Sequence, residues 1–301
     1  MLLPAPDPVL VRATALAALA VLTTGLVAPP ALAGAWRHDS SRDHVGRISN
    51  YTRSNSDGSM AEAIHVYRQS ATRIVVNKAV SRCTTSALVT ADLDLTTGRA
   101  ARLTAGKLNR QGGQDAFGTI TRDAATGRLD LVLGDTRQSL AVPDQPWMLY
   151  DFDLAELTNL LPYRQDPKAD FSFGMALVWP PEKPGDDPSK LLTYLGRADA
   201  RFEGVGSSQG RPAYSFRVTG PAFNGGQEIV LIDDDDTPRA AQKTGRLWID
   251  KAHGHVVAAE WPIPNHRGYK DYKLVLDAVS DGGEAAWNAL MADHWKGCPA
   301  P

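Results

Sequence analysis

His253 and His255 stand one residue apart, the spacing that sets two imidazoles on the same side of an extended strand, as some zinc sites require. Zinc needs at least a third protein ligand. Asp250, His266 and His294 supply suitable side chains, but no spacing ties them to the pair. His253 also falls in a predicted turn, so a turn decorated with exposed imidazoles accounts for the same residues. Gly206-Ser-Ser-Gln-Gly210 matches G-x-S-x-G, and acidic residues then histidines follow it in the order an α/β-hydrolase uses. That motif works only at a sharp strand-to-helix turn that exposes a strained serine. Here a strand-like run, Pro212 to Val218, follows, and Ser208 reads as the polar tip of a hairpin.

Asp233 to Asp236 could attract calcium, yet the run lacks the alternating oxygen ligands, central glycine and closing glutamate of the best-known calcium loop. Four adjacent like charges before Thr237-Pro238 fit a solvated loop. Glu203 and Glu260 are single acids on predicted strands, and no spacing pairs them for acid–base work. The reading implies no cofactor.

Cys83 and Cys298 are the two cysteines of the chain. No C-x-x-C is present, which argues against a redox or metal pair, and the expected state is a disulfide tying the C-terminal tail to an early strand. Two unrelated buried or reactive thiols are the alternative. Trp147, Tyr150, Phe152, Phe171, Phe173 and Trp179 cluster around a predicted helix, Asp151 to Leu161. Core packing is one role for them. A curved sheet covered only in part by helices can also leave an apolar pocket, and these six residues are the candidate ligand-binding set, with the 147–179 region as its mouth.

The elements that must position these groups are mostly strands. Arg246 to Asp250 and His255 to Ile263 form a hairpin around Lys251-Ala-His-Gly254, where Gly254 can supply a positive φ. Within it Val257, Ala259 and Trp261 fall on one face and Val256, Ala258 and Glu260 on the other. Tyr272 to Ala278 resumes the alternation as a half-buried antiparallel strand. Earlier, Ala63 to Val80, Leu88 to Leu103, Ala116 to Leu133 and Ala200 to Thr219 each read as strand, turn, strand. Such repetition suits a β-meander in which each strand pairs with the next. A helix is expected at Asp151 to Leu161, with Leu154, Leu157, Leu160 and Leu161 on one face, and another at Gly283 to Trp295. The polar stretch Trp36 to Met60 reads as a mature N-terminus that becomes ordered near Tyr51, and Pro180 to Pro188 as an exposed loop.

Arg12, the apolar run Ala13 to Val27 and the small residues ending at Ala33 read as a secretory signal, Met1 to Ala33, ahead of a single β-rich domain, 34–301. The apolar run is too short for a permanent membrane helix, and no later stretch of the sequence approaches about 20 apolar residues. A formal net charge of −2 argues against a nucleic-acid partner.

The unit Gly245-x-Leu-Trp-Ile-Asp250, a short glycine turn, then Val256-Val-x-x-Glu260 resembles the hairpins of exported bacterial proteins with a lipoprotein-carrier (LolA/LolB-like) half-barrel. The match covers the C-terminal third of the chain and brings no catalytic motif with it. It implies a mainly β, α+β fold: a curved antiparallel meander or half-barrel with two or three packed helices and an apolar concavity that in the carriers holds acyl chains. The expected function is then that of a non-catalytic exported protein, periplasmic or extracellular, whose partner is a hydrophobic small molecule or an envelope protein. A secreted hydrolase or metal-dependent enzyme working through His253, His255 or His266 is the first alternative. An envelope scaffold is the second.

Overall fold

The computed structural model describes residues 36–144, 146–179, 191–223, 230–232, 238–240 and 243–299. The expected signal at 1–33, the 180–188 loop and the Asp233–Asp236 run lie outside the described residues.

The first half of the chain is a meander: β1 (Ile48–Ser54), β2 (Glu62–Ser70), β3 (Arg73–Ala79), β4 (Ala87–Asp94), β5 (Arg99–Leu108), β6 (Gln114–Arg122), β7 (Arg128–Leu133) and β8 (Thr136–Ala141). Then come β9 (Trp147–Leu149), the short helix α1 (Ala155–Leu160), β10 (Phe171–Val178), β11 (Leu192–Ser208) and β12 (Arg211–Thr219). The chain ends with the small ribbon β13 (Val230–Ile232) and β14 (Pro238–Ala240), then β15 (Gly245–Asp250), β16 (Val256–Trp261), β17 (Tyr272–Ser280) and the helix α2 (Gly283–Trp295).

Fifteen strands form one open curved sheet in the order β8-β7-β6-β5-β4-β3-β2-β1-β17-β16-β15-β12-β11-β10-β9. Every neighbouring pair in it is antiparallel except β9 with β10, which is parallel. This is the expected mainly β half-barrel. Register shifts in ladders such as β1–β17, β4–β5, β5–β6 and β15–β16 add local twist and bend the strands. The curl brings the two ends of the sheet together. On β8, Gln138 donates from Nε2 to the carbonyl of Leu192 at the start of β11 (2.5 Å) and accepts its N–H at Oε1 (2.7 Å).

β1 and β17 pair at the centre of the sheet, so two meanders grow outward from them. Composition conceals β1, because the sequence from Trp36 onward looks like a polar tail. Its polar side chains are partnered across strands: Asn50 Oδ1 lies 2.8 Å from His65 Nδ1, and Thr52 Oγ1 donates to Asp277 at 2.8 Å. Ile48 and Tyr51 are buried. Order therefore begins earlier than the sequence suggests.

The two faces of the sheet carry different cores. Ile64, Val66, Ile74 and Val76 point to the concave side and pack with α1 and its flanks. Tyr67, Val75, Leu88 and Leu108, with the opposite parity where β2 and β3 alternate, pack under Trp287 and Met291 of α2. Trp287 stacks on Tyr67 with ring centroids 5.2 Å apart. Among the described residues no helix is long and apolar enough to cross a membrane.

Two local expectations are corrected. The helix at Asp151 to Leu161 shrinks to the six residues of α1, preceded by a 3-10 turn at Tyr150–Phe152 and followed by another at Leu161–Tyr163. In β16 a bulge at Val257 lets Val256 pair with Ile249, so Val256 joins Ala259 and Trp261 on the core side. α2 spans Gly283–Trp295 as expected.

Cys83 and Cys298 are joined, with Cα atoms 5.4 Å apart and a sequence separation of 215. His294 of α2 reinforces the clip: its carbonyl accepts the Cys83 N–H at 3.2 Å and its Nε2 lies 2.9 Å from the Thr84 carbonyl. Closing so long a loop restricts the unfolded chain. Replacing both cysteines by serine is expected to lower unfolding stability by about 2–4 kcal/mol in urea titrations. Amide exchange should accelerate first in α2, and a loss under about 0.5 kcal/mol would contradict this account.

Candidate functional site

After β8 the chain crosses to β9 at the opposite edge of the sheet, and residues 150–164, on the way from β9 to β10, lie largely buried inside the curve. Tyr150, Phe152, Leu154, Ala155, Leu157 and Leu160 are all buried there. The plug covers only part of the concave face. Where β5 and β6 present Ala105, Gly106 and Gly118, the wall is thin, and a cavity of about 460 Å³ remains against it. Leu103, Ile120, Leu131 and Leu133 continue that wall, while Leu149, Phe152 and Val178 face it from the plug side. Met60, Val80 and Phe117, three of the five large hydrophobic side chains exposed among the described residues, line the same space at 53%, 71% and 50% exposure. They give it an apolar rim.

One end of the cavity is charged. Lys78 lies on β3 with the same inward parity as Ile74 and Val76, and Arg53 lies on β1 with the parity of Tyr51. Both reach Asp153, which is 2% exposed: Lys78 Nζ is 2.6 Å and Arg53 Nη1 3.2 Å from its carboxylate. Arg53 also pairs with Glu62 and donates to Tyr269 Oη at 3.1 Å, and Tyr269 Oη donates to the Met60 carbonyl at 2.8 Å. Asn265 Nδ2 donates to Asp153 at 2.7 Å and to the Tyr150 carbonyl at 3.2 Å. Asp153 and Leu154 both adopt left-handed backbone, with φ of 54° and 58°. Two consecutive non-glycine residues in that region cost on the order of 1–2 kcal/mol each, held here by the bonds to Asp153.

Burial alone would push the Asp153 carboxyl up, but Arg53 and Lys78 outweigh it and hold it well below the ordinary range. Asp151 behaves oppositely. Burial raises it to about 6 against the nearby Lys78. Burial, helped by the cations Lys78 and Arg53, lowers His266 to about 3, so its imidazole is neutral at physiological pH. Glu62 is also raised, by burial first, despite Arg53. The cations and anions thus neutralise one another, and the polar groups of the lining outside these ion pairs include a neutral imidazole, a phenol and a carboxyl raised to about 6.

The six aromatic candidates separate. Phe152 lines the cavity. Trp147, Tyr150, Phe171 and Phe173 are packed in the core, and Trp179 is half-buried with the Arg267 guanidinium 5.4 Å from its ring centre. His253 and His255 stack at 5.9 Å, but His266 lines the apolar cavity whereas His255 lines a different, polar one. Among the described residues no group of three His, Cys, Asp or Glu side chains converges on a point that could hold a metal. The exposed-turn reading needs one correction, since His255 is only 3% exposed. Ser208 ends β11 opposite Arg211 in a hairpin; Glu203 pairs with Arg217 across strands at 2.6 Å, and Glu260 lies 3.8 Å from Lys273. No sequence motif marks Arg53, Lys78 or Asp153. Their signal is a lone charge at an inward strand position, which burial permits only when paired.

No protein-family model matches the chain, and no curated protein matches it. Among solved structures it is similar to a protein from Bacteroides fragilis described as exported with a YmcC-like fold, at 13% identity over 82% of this chain and 99% of that one, with a TM-score of 0.24. It is also similar to a domain from Vibrio parahaemolyticus described as an outer membrane lipoprotein-sorting protein domain, at 10% identity over 84% and 94% of the two chains, with a TM-score of 0.20. The half-barrel itself rests on the strand order and pairing.

Asparagine tolerates left-handed backbone and keeps the shape of Asp153, so Asp153→Asn removes the charge and turns one acceptor oxygen into an N–H donor. It is expected to cost about 3–5 kcal/mol at neutral pH, measured by denaturant unfolding, because Arg53 and Lys78 lose their counter-ion. The folded-state carboxyl is depressed, so its contribution is complete above the ordinary carboxylate range and lost as pH falls through its low folded value. The difference between the proteins should therefore shrink in acid. Glu156, fully buried in α1, has the reverse sign: burial raises it to about 8. Wild type should lose stability relative to Glu156→Gln as pH rises from about 4.5 to about 8, by ~2–4 kcal/mol, and a pH-independent difference would refute the shift.

Proposed function

We propose that this chain, after removal of Met1 to Ala33, is an exported binding protein for a hydrophobic small molecule, housed in the cavity between the β4–β7 wall and the plug. The observation that carries the reading is that cavity: about 460 Å³, apolar along its length, with one polar end. Its volume falls within the ~300–1,000 Å³ usual for small-molecule sites. The exposed Met60, Val80 and Phe117 let an apolar ligand pass from a lipid surface or a partner without full hydration. The polar end favours an uncharged head such as a hydroxyl, an ester or a protonated acid, because its own charges are already paired. The Cys83–Cys298 bond suits an oxidising compartment outside the cytoplasm, with the periplasm as the proposed destination.

Organic extraction of the purified protein followed by mass spectrometry is expected to release a lipid-like molecule, and a fluorescent fatty acid should bind saturably and be displaced by it. Ala105→Trp projects an indole into the cavity from β5. It should weaken binding at least about tenfold while changing stability by less than about 1.5 kcal/mol. Absence of both extractable lipid and saturable binding would sink the reading.

A further inference from the structure

A second, small polar cavity lies where the segment 42–47, the end of α1 and the start of β16 meet. It has room of about 20 Å³, enough for one or two water-sized occupants. Backbone pairing fixes its walls. The Arg68 N–H donates to the Arg47 carbonyl and the Gly46 N–H to the Arg68 carbonyl, both at 2.9 Å. On the other side Gly254, at φ 73°, presses against Pro162 so closely that a Cβ there would lie 2.9 Å from Pro162 Cα. That contact seats the turn leading into His255.

The lining is rich in donors and poor in acceptors. Arg68 is 2% exposed. Among the described residues no carboxylate lies within 4.0 Å of it, the ion-pair limit. Its Nη2 donates to Tyr163 Oη at 2.9 Å and to the Ala71 carbonyl, while Nε and Nη1, both buried, have no acceptor among the described residues. Arg47 donates from Nε to Asp281 at 3.1 Å, and its buried Nη1 has no acceptor either. His255 has neither ring nitrogen bonded. Asp43, the acid in the lining, is already engaged by the Tyr163 hydroxyl at 2.6 Å and by His38 at 2.8 Å. Asp43 offsets part of the Arg68 charge across the Tyr163 hydroxyl that bonds to both, but not by direct contact; water could accept from the orphan N–H groups without supplying the rest, and an incompletely paired buried ion is costly. An anion answers both needs.

We infer that this cavity is a binding site for a small monovalent anion of chloride size, held by Arg68, Arg47 and His255. Its size excludes a lipid headgroup or a phosphoryl group without rearrangement of the 42–47 segment. Burial is also the first reason that Arg68 lies below its ordinary pKa and that His255 falls to about 4; Asp250 opposes the fall at His255, which the cations Arg47 and Arg211 deepen. An anion between them would raise both.

The test uses the purified protein in gluconate buffer, with bromide exchanged for gluconate at constant ionic strength. The unfolding temperature is expected to rise saturably with bromide, and bromide-soaked crystals should show one anomalous peak between Arg47, Arg68 and His255. Arg68→Met should abolish the saturable response. Should that variant fail to fold, Arg47→Gln, which removes one donor at the cavity edge, should weaken the apparent affinity at least about tenfold. No peak in this cavity, no saturable response, or a response unchanged in Arg47→Gln would each overturn the proposal.

Discussion

The Asp153 carboxylate joins parts of the fold that are remote in sequence. Arg53 comes from β1 at the centre of the sheet, Lys78 from β3, Asn265 from the segment between β16 and β17, and Asp153 from the plug between β9 and β10. A curved sheet and a plug each have apolar surface to bury, but apolar contact does not fix how one sits in the other. A set of buried charges does, because moving any member leaves another unpaired in a medium that penalises it heavily. The left-handed Asp153–Leu154 pair is the local consequence: the backbone accepts an unfavourable conformation so that the carboxylate can face two cations.

The same interaction explains why a cavity survives beside it. If the plug could slide toward β5 and β6, the apolar space would collapse, and burial of Phe152 against Ala105 and Gly118 would favour that movement. Asp153 prevents it, anchored on β1 and β3 rather than on the thin wall. Glu156 adds a second tether, accepting the Leu149 N–H at 3.1 Å and so holding the turn before α1 against its start. The ionic cluster and the apolar space are therefore parts of one arrangement, in which the charges keep the plug at a distance from the wall.

Much of the sheet is legible in the sequence because its hairpins obey local rules: alternation of apolar residues, glycine in turns, and β-branched residues in the runs, as in Arg73–Ala79 and Arg128–Leu133. β1 is hidden because its Ser, Asn, Thr and Arg look solvated, and only long-range partners on β2, β17 and the plug make them compatible with burial. The plug reads as a helix because its leucines repeat at helical spacing, yet it serves as a junction whose start is dictated by Asp153 and not by helix propensity. The aromatic residues announce a core more reliably than a pocket. Phe152 reaches the cavity and the other five aromatic candidates do not, since ring orientation depends on turns that spacing cannot specify. Lys78 is the instructive case: its parity with Ile74 and Val76 was readable, and an inward charge demands a partner, but the partner lies 75 residues away in an irregular turn.

On the proposed function the chain must remain folded with its cavity unfilled as well as occupied, and the distribution of polarity bears on how it does so. An apolar cavity with unpaired charges at its end would depend on the ligand for stability, and loss of the ligand would expose or strand those charges. Here Arg53, Lys78, Asp153 and Glu62 are paired among themselves, so occupancy changes apolar burial while leaving the ionic framework intact. The polar side chains of the lining outside that ion-paired set include Tyr269, Asp151, which burial raises to about 6, and His266, which burial keeps uncharged at neutral pH. On that reading the ion pairs that position the plug are distinct from the groups beside which a polar head would rest, so holding the cavity open is separate from recognising what enters it.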